Sequence, residues 1–103
     1  MEVIILESAE KYKRLLASGE QTRKMKAGLV VLAPGEEIGE HSTQDKEEAL
    51  IILSGQAEIS CAPSPARAVP PNSLVYIPAQ TKHNVKNIGS QILRYVFIVT
   101  PVR

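Results

Sequence analysis

His41 and His83 are the only two histidines of the chain, and each stands in a pattern typical of one half of a metal site. The two patterns are Gly35-x5-His41-x-Thr43-x4-Glu48-x6-Gly55 and Pro78-x4-His83-x3-Asn87. A first-row metal ion binds imidazole nitrogens and carboxylate oxygens that converge on one point from rigid elements. His41, Glu48 and His83 could supply these donors.

The elements around these residues are predicted to be strands. From about residue 21 onward, apolar residues follow a period of two, which is the strand period. The strand-like segments are 29–33, 38–43, 48–53, 57–61, 66–69, 74–77, 84–87 and 92–99. Gly, Pro, Asn and Ser clusters separate them, as turns require. Short strands at this spacing predict one all-β domain, a sandwich or a barrel, over residues 1–103.

The N-terminal part has a different pattern. Residues 3–6 are rich in β-branched side chains and predict a short strand. Ser8 is a suitable N-cap for a helix over about residues 9–17, in which Tyr12, Leu15 and Leu16 form one apolar stripe. Gly19 would end this helix, the only one that the sequence predicts.

Strand phase links the candidate donors. Residues two apart on a strand share a face, so His41 and Thr43 should share one, and Glu48 should share another with positions 50 and 52. If both faces line the interior, His41 and Glu48 lie on neighbouring strands and point inward. Glu47 then points outward and is the poorer ligand.

A buried Glu48 would need a partner, because an isolated carboxylate in an apolar interior is very costly. A metal ion is one candidate partner. The cationic side chains of Lys24, Lys26 and Arg94 are the alternatives.

The two patterns resemble the two signature motifs of the cupin superfamily. The first motif, G-x5-H-x-H-x(3,4)-E-x6-G, matches at residues 35–55, with Thr43 at the second histidine position. The second motif, G-x5-P-x-G-x2-H-x3-N, matches at residues 72–87, with Asn72 and Gln80 at its two glycine positions. Seven of the ten signature positions agree and both spacings are kept. Asn is at ease in the left-handed backbone region that such glycines serve, and Gln less so.

This resemblance implies a double-stranded β-helix, that is, a jelly-roll barrel, here with one short N-terminal helix. It also implies a divalent metal ion (Zn, Fe, Mn or Ni) bound near one mouth by His41, Glu48 and His83. Two histidines and one carboxylate are the donors of non-haem Fe(II) oxygenases, and three protein ligands also suit catalytic zinc. The Thr43 hydroxyl would hydrogen-bond a metal-bound water rather than bind the ion.

Four further residues are candidate pocket lining: Cys61, Tyr76, Arg94 and Tyr95. Each also has a simpler interpretation, since Cys61 and the tyrosines could pack in the core and Arg94 could lie at the surface. The sequence has no nucleophile elbow, no phosphate-binding loop and no Cys paired with a His at a known catalytic spacing.

The composition limits the kinds of partner that this protein is expected to bind. There are 12 Lys and Arg against 11 Asp and Glu, a net charge of +1, so no bulk field attracts nucleic acid. One cysteine allows no intrachain disulfide and favours a reducing compartment. The apolar run at residues 3–6 lacks the basic flank of a signal peptide, and no apolar stretch approaches the roughly 18 residues of a membrane span. We therefore expect a cytoplasmic protein with no nucleic-acid or membrane partner.

Two functions agree with these residues. One is a metal-binding barrel that holds a small polar molecule at the ion, as a dioxygenase or an isomerase if it is an enzyme. The other is a non-catalytic binding or sensing module, metal-free or structurally metallated. The sequence does not choose between them. We also expect a homodimer in which residues 3–6 and 93–99 take part, because apolar sheet edges gain by pairing.

Overall fold

The computed structural model describes all 103 residues, and the chain forms nine strands and no helix. The strands are β1 (Tyr12–Leu16), β2 (Lys26–Leu32), β3 (His41–Ser42), β4 (Lys46–Ser54), β5 (Ala57–Cys61), β6 (Ser64–Val69), β7 (Ser73–Ile77), β8 (Lys82–Asn87) and β9 (Leu93–Pro101). The all-β prediction is confirmed. No helix is present that is long and apolar enough to cross a membrane.

The strands form two antiparallel sheets. One has five strands in the order β1-β2-β9-β4-β7, and the other has four in the order β3-β8-β5-β6. From β3 onward the chain passes repeatedly from one sheet to the other, which winds it into the predicted jelly roll. The inner faces of the two sheets enclose the main hydrophobic core, which includes Leu50, Ile52, Val85 and Tyr95.

The alternation of inward and outward side chains along β4 positions Glu48 at the site. Glu48, Leu50 and Ile52 are buried on its inner face, as the period of two predicts, while Ile51 is partly exposed on the outer face. Glu48 therefore lies on this inner face between Lys46, at the start of the strand, and the core residues Leu50 and Ile52. Its carboxylate lies where the core ends and one mouth of the barrel begins.

The predicted N-terminal helix is wrong. Residues 12–16 form β1, which pairs antiparallel with β2, and residues 3–6 form no strand. Leu15 is buried against the outer face of the large sheet rather than on a helical stripe. The free edge of β2 offers this segment a ladder of backbone hydrogen bonds, and that tertiary pairing outweighs a local helical pattern only nine residues long.

The predicted strands from β4 onward agree with the structure to within about two residues, the usual uncertainty of strand ends. The predicted strand 38–43 shrinks to β3, which is only two residues long. The backbone at the two glycine positions of the second motif is left-handed, with φ of 62° at Asn72 and 56° at Gln80. Non-glycine residues therefore occupy turns that glycine would adopt without strain.

Candidate metal centre

The shortest strand brings the two histidines together. His41 of β3 stands directly opposite His83 of β8, and directly opposed residues of antiparallel strands share one face. The ring centroids are 4.2 Å apart and the rings are tilted by 57°. His83 is buried, whereas His41 is exposed at the mouth.

Glu48 reaches the same point from the other sheet. Its Oε1 atom lies 2.9 Å from Nε2 of His83, and both side chains are nearly inaccessible to solvent. One donor atom from each of His41, Glu48 and His83 lies within 4.8 Å of the other two. Two ligands of one zinc-sized ion lie at most about 4.4 Å apart, so only a small movement is needed for all three to bind it.

Backbone carbonyls fix how both imidazoles present their nitrogens. Nδ1 of His41 is 2.9 Å from the Gly39 carbonyl oxygen, and Nδ1 of His83 is 3.1 Å from that of Thr81. A carbonyl oxygen only accepts, so each Nδ1 carries a proton and donates it. In the neutral rings the lone pairs therefore lie on Nε2, which is how metal-binding histidines are usually oriented.

The contact between His83 and Glu48 requires a proton or a metal ion between the two atoms. If His83 is neutral, its Nε2 has no proton to donate to the carboxylate. Burial lowers the pKa of His83, but the hydrogen bond with Glu48, the bond to Thr81 and the carboxylate charge raise it, and the net pKa lies above the ordinary value. In the metal-free protein a proton occupies the gap between Nε2 and Oε1.

The donor set fits a divalent metal ion. Two Nε2 atoms and one carboxylate oxygen are the ligands that zinc and non-haem iron use, and backbone hydrogen bonds already orient both rings. An ion would take the place of the proton now required between His83 and Glu48. Of the alternative partners for Glu48, Arg94 lies elsewhere, where it donates to the Leu6 carbonyl. Lys26 lies near Glu48, but His83 is the group that is paired with the Glu48 carboxylate.

Thr43, at the place of the missing histidine, is buried beside this cluster. Its hydroxyl donates to the Pro78 carbonyl at 2.8 Å and accepts from the Thr81 amide at 3.0 Å. The hydroxyl thus ties the end of β3 to the loop that precedes β8. One acceptor lone pair is left over, so the predicted hydrogen bond from a metal-bound water stays compatible with these contacts.

A cavity of about 330 Å³, here called the histidine cavity, opens at these residues. Its walls include Tyr12 and Phe97, whose rings stack with centroids 5.9 Å apart. A Cβ atom at Gly28 would lie 2.6 Å from the Phe97 ring and 2.7 Å from the Tyr12 ring, so the glycine leaves room for this wall. Sequence reasoning missed Tyr12 because it placed this residue on a helix.

Of the four residues predicted to line a pocket, Tyr95 alone lines the histidine cavity. Cys61 and Tyr76 border a different cavity of about 430 Å³ between β5, β6 and β7, here called the β7 cavity. Tyr76 is exposed, and the neighbouring Glu47 carboxylate raises the pKa of its hydroxyl. These two residues therefore line a cavity other than the one that holds the candidate donors.

Arg94 lines neither cavity, so of the two interpretations that the sequence left open the structure favours a place away from the candidate donors. Its guanidinium donates to the Leu6 carbonyl on the N-terminal segment. Tyr95, Phe97 and Val99 occupy the inward positions of β9, which turns Arg94 outward. Asn87 of the second motif is buried and structural, because its side chain donates to the Leu32 and Gln91 carbonyls and accepts from the Gly89 amide.

Sequence comparison agrees with this geometry. The family described as Cupin_2, Cupin domain, matches residues 28–99, which hold both motifs and all three donors. A Streptomyces cyaneus protein named polyketide synthase CurC is 31% identical over 77 residues, 73% of this chain. The chain spans about half, 48%, of the length of this curated relative.

Solved structures share the whole fold at low sequence identity. The cupin domain of Schizosaccharomyces pombe Cnp3 has a TM-score of 0.80 at 18% identity, over 95% of this chain and 69% of that one. A Cupin 2 conserved barrel domain protein from Salinispora arenicola has a TM-score of 0.80 at 22% identity, over 99% and 90%. An RmlC-like protein with a double-stranded β-helix from Methanocaldococcus jannaschii has a TM-score of 0.77 at 22% identity, over 98% and 91%. These likenesses confirm the double-stranded β-helix.

Proposed function

This chain belongs to the cupin domain family, and from that membership and its donor set we propose that it binds a divalent metal ion through His41, Glu48 and His83. A small oxygen-containing molecule would bind at this ion inside the histidine cavity. The metal identity is open among Zn, Fe, Mn and Ni, since all four accept imidazole and carboxylate ligands.

One observation carries the proposal. Nε2 of the buried His83 lies 2.9 Å from a carboxylate oxygen of Glu48, while Nδ1 of the same ring is engaged by a backbone carbonyl. This arrangement is stable only with a proton or a metal ion between the two atoms. The second imidazole, that of His41, is oriented in the same way at the open side of the pair.

A bound ion would supply a Lewis acid or a site for O2, and both dioxygenase and isomerase chemistry can be built on such a centre. The protein's own contribution is to orient the ligands, to exclude water with the apolar walls of the cavity, and to hold the small molecule. The Streptomyces relative is named a polyketide synthase, which makes keto and enol compounds the first class to test.

A second candidate function is non-catalytic: a binding or sensing module that holds a small molecule without a metal. The observation in its favour is that a protonated His83 already satisfies Glu48 and the Thr81 carbonyl. The Thr43 hydroxyl is likewise engaged by backbone groups, so the site is fully hydrogen-bonded without an ion.

Metal analysis separates the two functions. Protein purified without added metal, then loaded with one equivalent of Zn²⁺, Mn²⁺ or Fe²⁺ and desalted, should retain about one ion per chain if three protein ligands hold it. The Glu48→Gln variant should lose the ion. Glu47→Gln is the matched control, because this neighbouring carboxylate lies on the outer face of the same strand beside Tyr76.

Metal that is substoichiometric in the wild type, or retained equally by Glu48→Gln and Glu47→Gln, would contradict metal binding at this site and favour the non-catalytic function. For the enzymatic form, O2 consumption or turnover is then measured with metal-loaded protein and a panel of keto and enol compounds. Glu48→Gln serves there as the inactive reference.

We also propose a homodimer that keeps segment 3–6, one of the two segments that the sequence suggested, and replaces residues 93–99 by β7. Residues 93–99 lie in β9, which is paired on both sides by β2 and β4 and offers no free edge. The exposed apolar side chains lie instead on the edge strand β7, where Leu74 is 73% exposed, and in the unpaired segment 3–6, where Ile5 is 64% exposed. One chain's segment 3–6 could extend the partner's sheet at β7.

Light scattering tests the dimer. The wild type should have twice the mass of one chain at micromolar concentration, and Leu74→Lys should shift it towards the monomer, while Ile88→Lys, at an exposed position outside both segments, should not. A monomeric wild type contradicts the proposal. The cytoplasmic location expected from the sequence stays a prediction.

A further inference from the structure

The hydroxyl of Tyr95 is a polar group that the protein itself leaves without a partner. The side chain is 98% buried, since only 2% of the residue is exposed, and it lines the histidine cavity. Every side-chain nitrogen or oxygen that is sealed from solvent in this protein has a hydrogen-bond partner. The unpartnered Tyr95 hydroxyl must therefore open into the cavity.

This hydroxyl can act as a hydrogen-bond donor at any working pH. Burial, and secondarily the charge of Glu48, raise the pKa of Tyr95 far above its ordinary value, so the phenol keeps its proton. Because the hydroxyl opens into the cavity, its hydrogen-bond acceptor is a water molecule there or an oxygen atom of a bound ligand.

The mouth of the same cavity carries a positive charge. Lys26 and Lys46 line it, and Glu48 is the one carboxylate among its lining residues. Lys46 is paired with Asp45 at 3.4 Å, whereas Lys26 begins β2 on the same face as Glu48, because both are in register with Val99 of β9. A metal ion held by Glu48 would add to the positive charge.

The register places the Cα atom of Tyr95 deeper in the barrel than those of Lys26 and Glu48. Val99, beside Lys26 and Glu48, is four residues along β9 from Tyr95, which is about 13 Å between Cα atoms at the rise of an extended strand. Between them the cavity wall is apolar, with Leu50 and Phe97 forming the intermediate row. The cavity is thus positive at its mouth and apolar along this wall, and the Tyr95 hydroxyl opens into the same space, where the charge of Glu48 acts on it.

We propose that the histidine cavity selects a small organic anion that carries a second, uncharged oxygen. The anionic group binds at the mouth, between Lys26 and the metal, and the second oxygen accepts a hydrogen bond from the Tyr95 hydroxyl. A compact apolar body, such as a single ring, fills the space between them. This inference rests on the proposed function, because the metal shares the binding of the anionic group.

Four benzene derivatives test this selection without knowledge of the natural ligand. The probes 3- and 4-acetylbenzoate have an anion and a second oxygen, 4-isopropylbenzoate has the anion alone, and 4-acetylbenzamide has an uncharged head. Affinities are measured by calorimetry on zinc-loaded and metal-free protein, with the zinc content determined on the same samples.

The better acetylbenzoate should bind the wild type about tenfold more tightly than the isopropyl compound, the worth of one hydrogen bond to a buried donor. Tyr95→Phe should abolish this difference while leaving the thermal midpoint and the zinc content unchanged, because the hydroxyl has no partner in the protein. Lys26→Met should reduce the preference for 4-acetylbenzoate over 4-acetylbenzamide roughly fivefold. Tyr12→Phe, at a more exposed position of the same cavity, is the control that should change neither preference.

The inference is overturned if metal-loaded wild type binds the acid and the amide equally, if Tyr95→Phe weakens all four probes alike, or if none of them binds. Failure of the proposed function has a different signature, which is the absence of zinc from the wild-type sample. Full zinc occupancy without anion selection contradicts this inference alone.

Discussion

Two cavities of similar size open into the barrel, and metal-binding groups converge in only one of them. In the histidine cavity, side chains from both sheets converge so that three donor atoms lie within 4.8 Å of one another. In the β7 cavity, the polar lining residues include Cys61, Arg67 and Tyr76, and they belong to no such cluster. The larger of the two, about 430 Å³ against 330 Å³, is therefore the poorer candidate site.

The difference arises from the register of the small sheet. His83 of β8 stands between His41 on one neighbouring strand and Cys61 on the other, and all three share one face. Glu48 of the opposite sheet meets this row at its histidine end only. A cavity becomes a binding site where the two sheets bring charged groups to one point, and its volume alone does not indicate function.

The largest difference between the two cavities should appear when the cross-strand neighbours His83 and Cys61 are replaced by alanine, each in its own variant. His83→Ala should weaken zinc binding at least about 100-fold, because it removes a ligand rather than a supporting group. Cys61→Ala should leave the affinity within a factor of about two, since Cys61 borders the β7 cavity. Competition with a chromophoric chelator measures both. An equal loss in the two variants would mean that Cys61 is also a ligand.

The histidine cavity should respond to pH in opposite directions with and without metal. The pKa of His83 is raised above its ordinary 6.5, so in the metal-free protein its pairing with Glu48 stabilises fully below pH 6.5 and is lost as the pH rises through the raised value. A metal ion needs the neutral ring, so it binds above the raised pKa and is released as the pH falls through it.

The rise in thermal midpoint on adding zinc should therefore increase with pH across a window that begins just above 6.5. Differential scanning fluorimetry from pH 5 to pH 9 measures it. Tyr76→Phe, at the β7 cavity, should give the wild-type curve, and a zinc effect independent of pH would exclude histidine ligation.

Loss of the Thr43 hydroxyl should destabilise the protein moderately. Thr43→Val leaves the buried Thr81 amide and the Pro78 carbonyl without their partner, at a cost of roughly 1–3 kcal/mol in the free energy of unfolding. Ser73→Ala is the control at the β7 cavity, where the strand is held by its ladder to β4, and should change stability by less than about 0.5 kcal/mol. Urea denaturation compares the two, and equal effects would show that the Thr43 bridge does not stabilise the mouth.

The smallest effects should come from the two left-handed residues of the second motif, one near each cavity. Gln80→Gly should stabilise by about 0.5–1 kcal/mol, because relief of the backbone strain exceeds the entropy that glycine adds to the unfolded chain. Asn72→Gly, beside the β7 cavity, should change stability by about 0.3 kcal/mol or less, since Asn tolerates this conformation. A larger gain at Asn72 than at Gln80 in the same urea titration would contradict this reasoning.

The sequence predicted the three donor residues of the histidine cavity far better than the other residues that line it. Strand phase turned His41 and Glu48 inward, the resemblance to the second cupin motif added His83, and the structure brings all three together. Tyr12 was misplaced because its segment has a short helical pattern. A pattern taken over a few residues does not show that β2 has a free edge with which this segment can pair.

The positions of Arg94 and Cys61 could not be decided from the sequence for a different reason. Strand β9 is paired on both sides and apolar on both faces, so alternation in its sequence does not say whether Arg94 or Tyr95 points inward. For Cys61 the phase was right and it does pack against the core, but only the position of the opposite sheet decides which cavity it borders.

The shortness of β3 has a consequence for kinetics. His41 is contributed by a strand of two residues and is the one exposed donor, whereas His83 and Glu48 lie on longer, buried strands. Local opening of such a short element costs little free energy compared with global unfolding. A bound ion would therefore leave by first losing His41, and its residence time would follow the opening rate of β3, which amide hydrogen exchange at residues 41 and 42 can report.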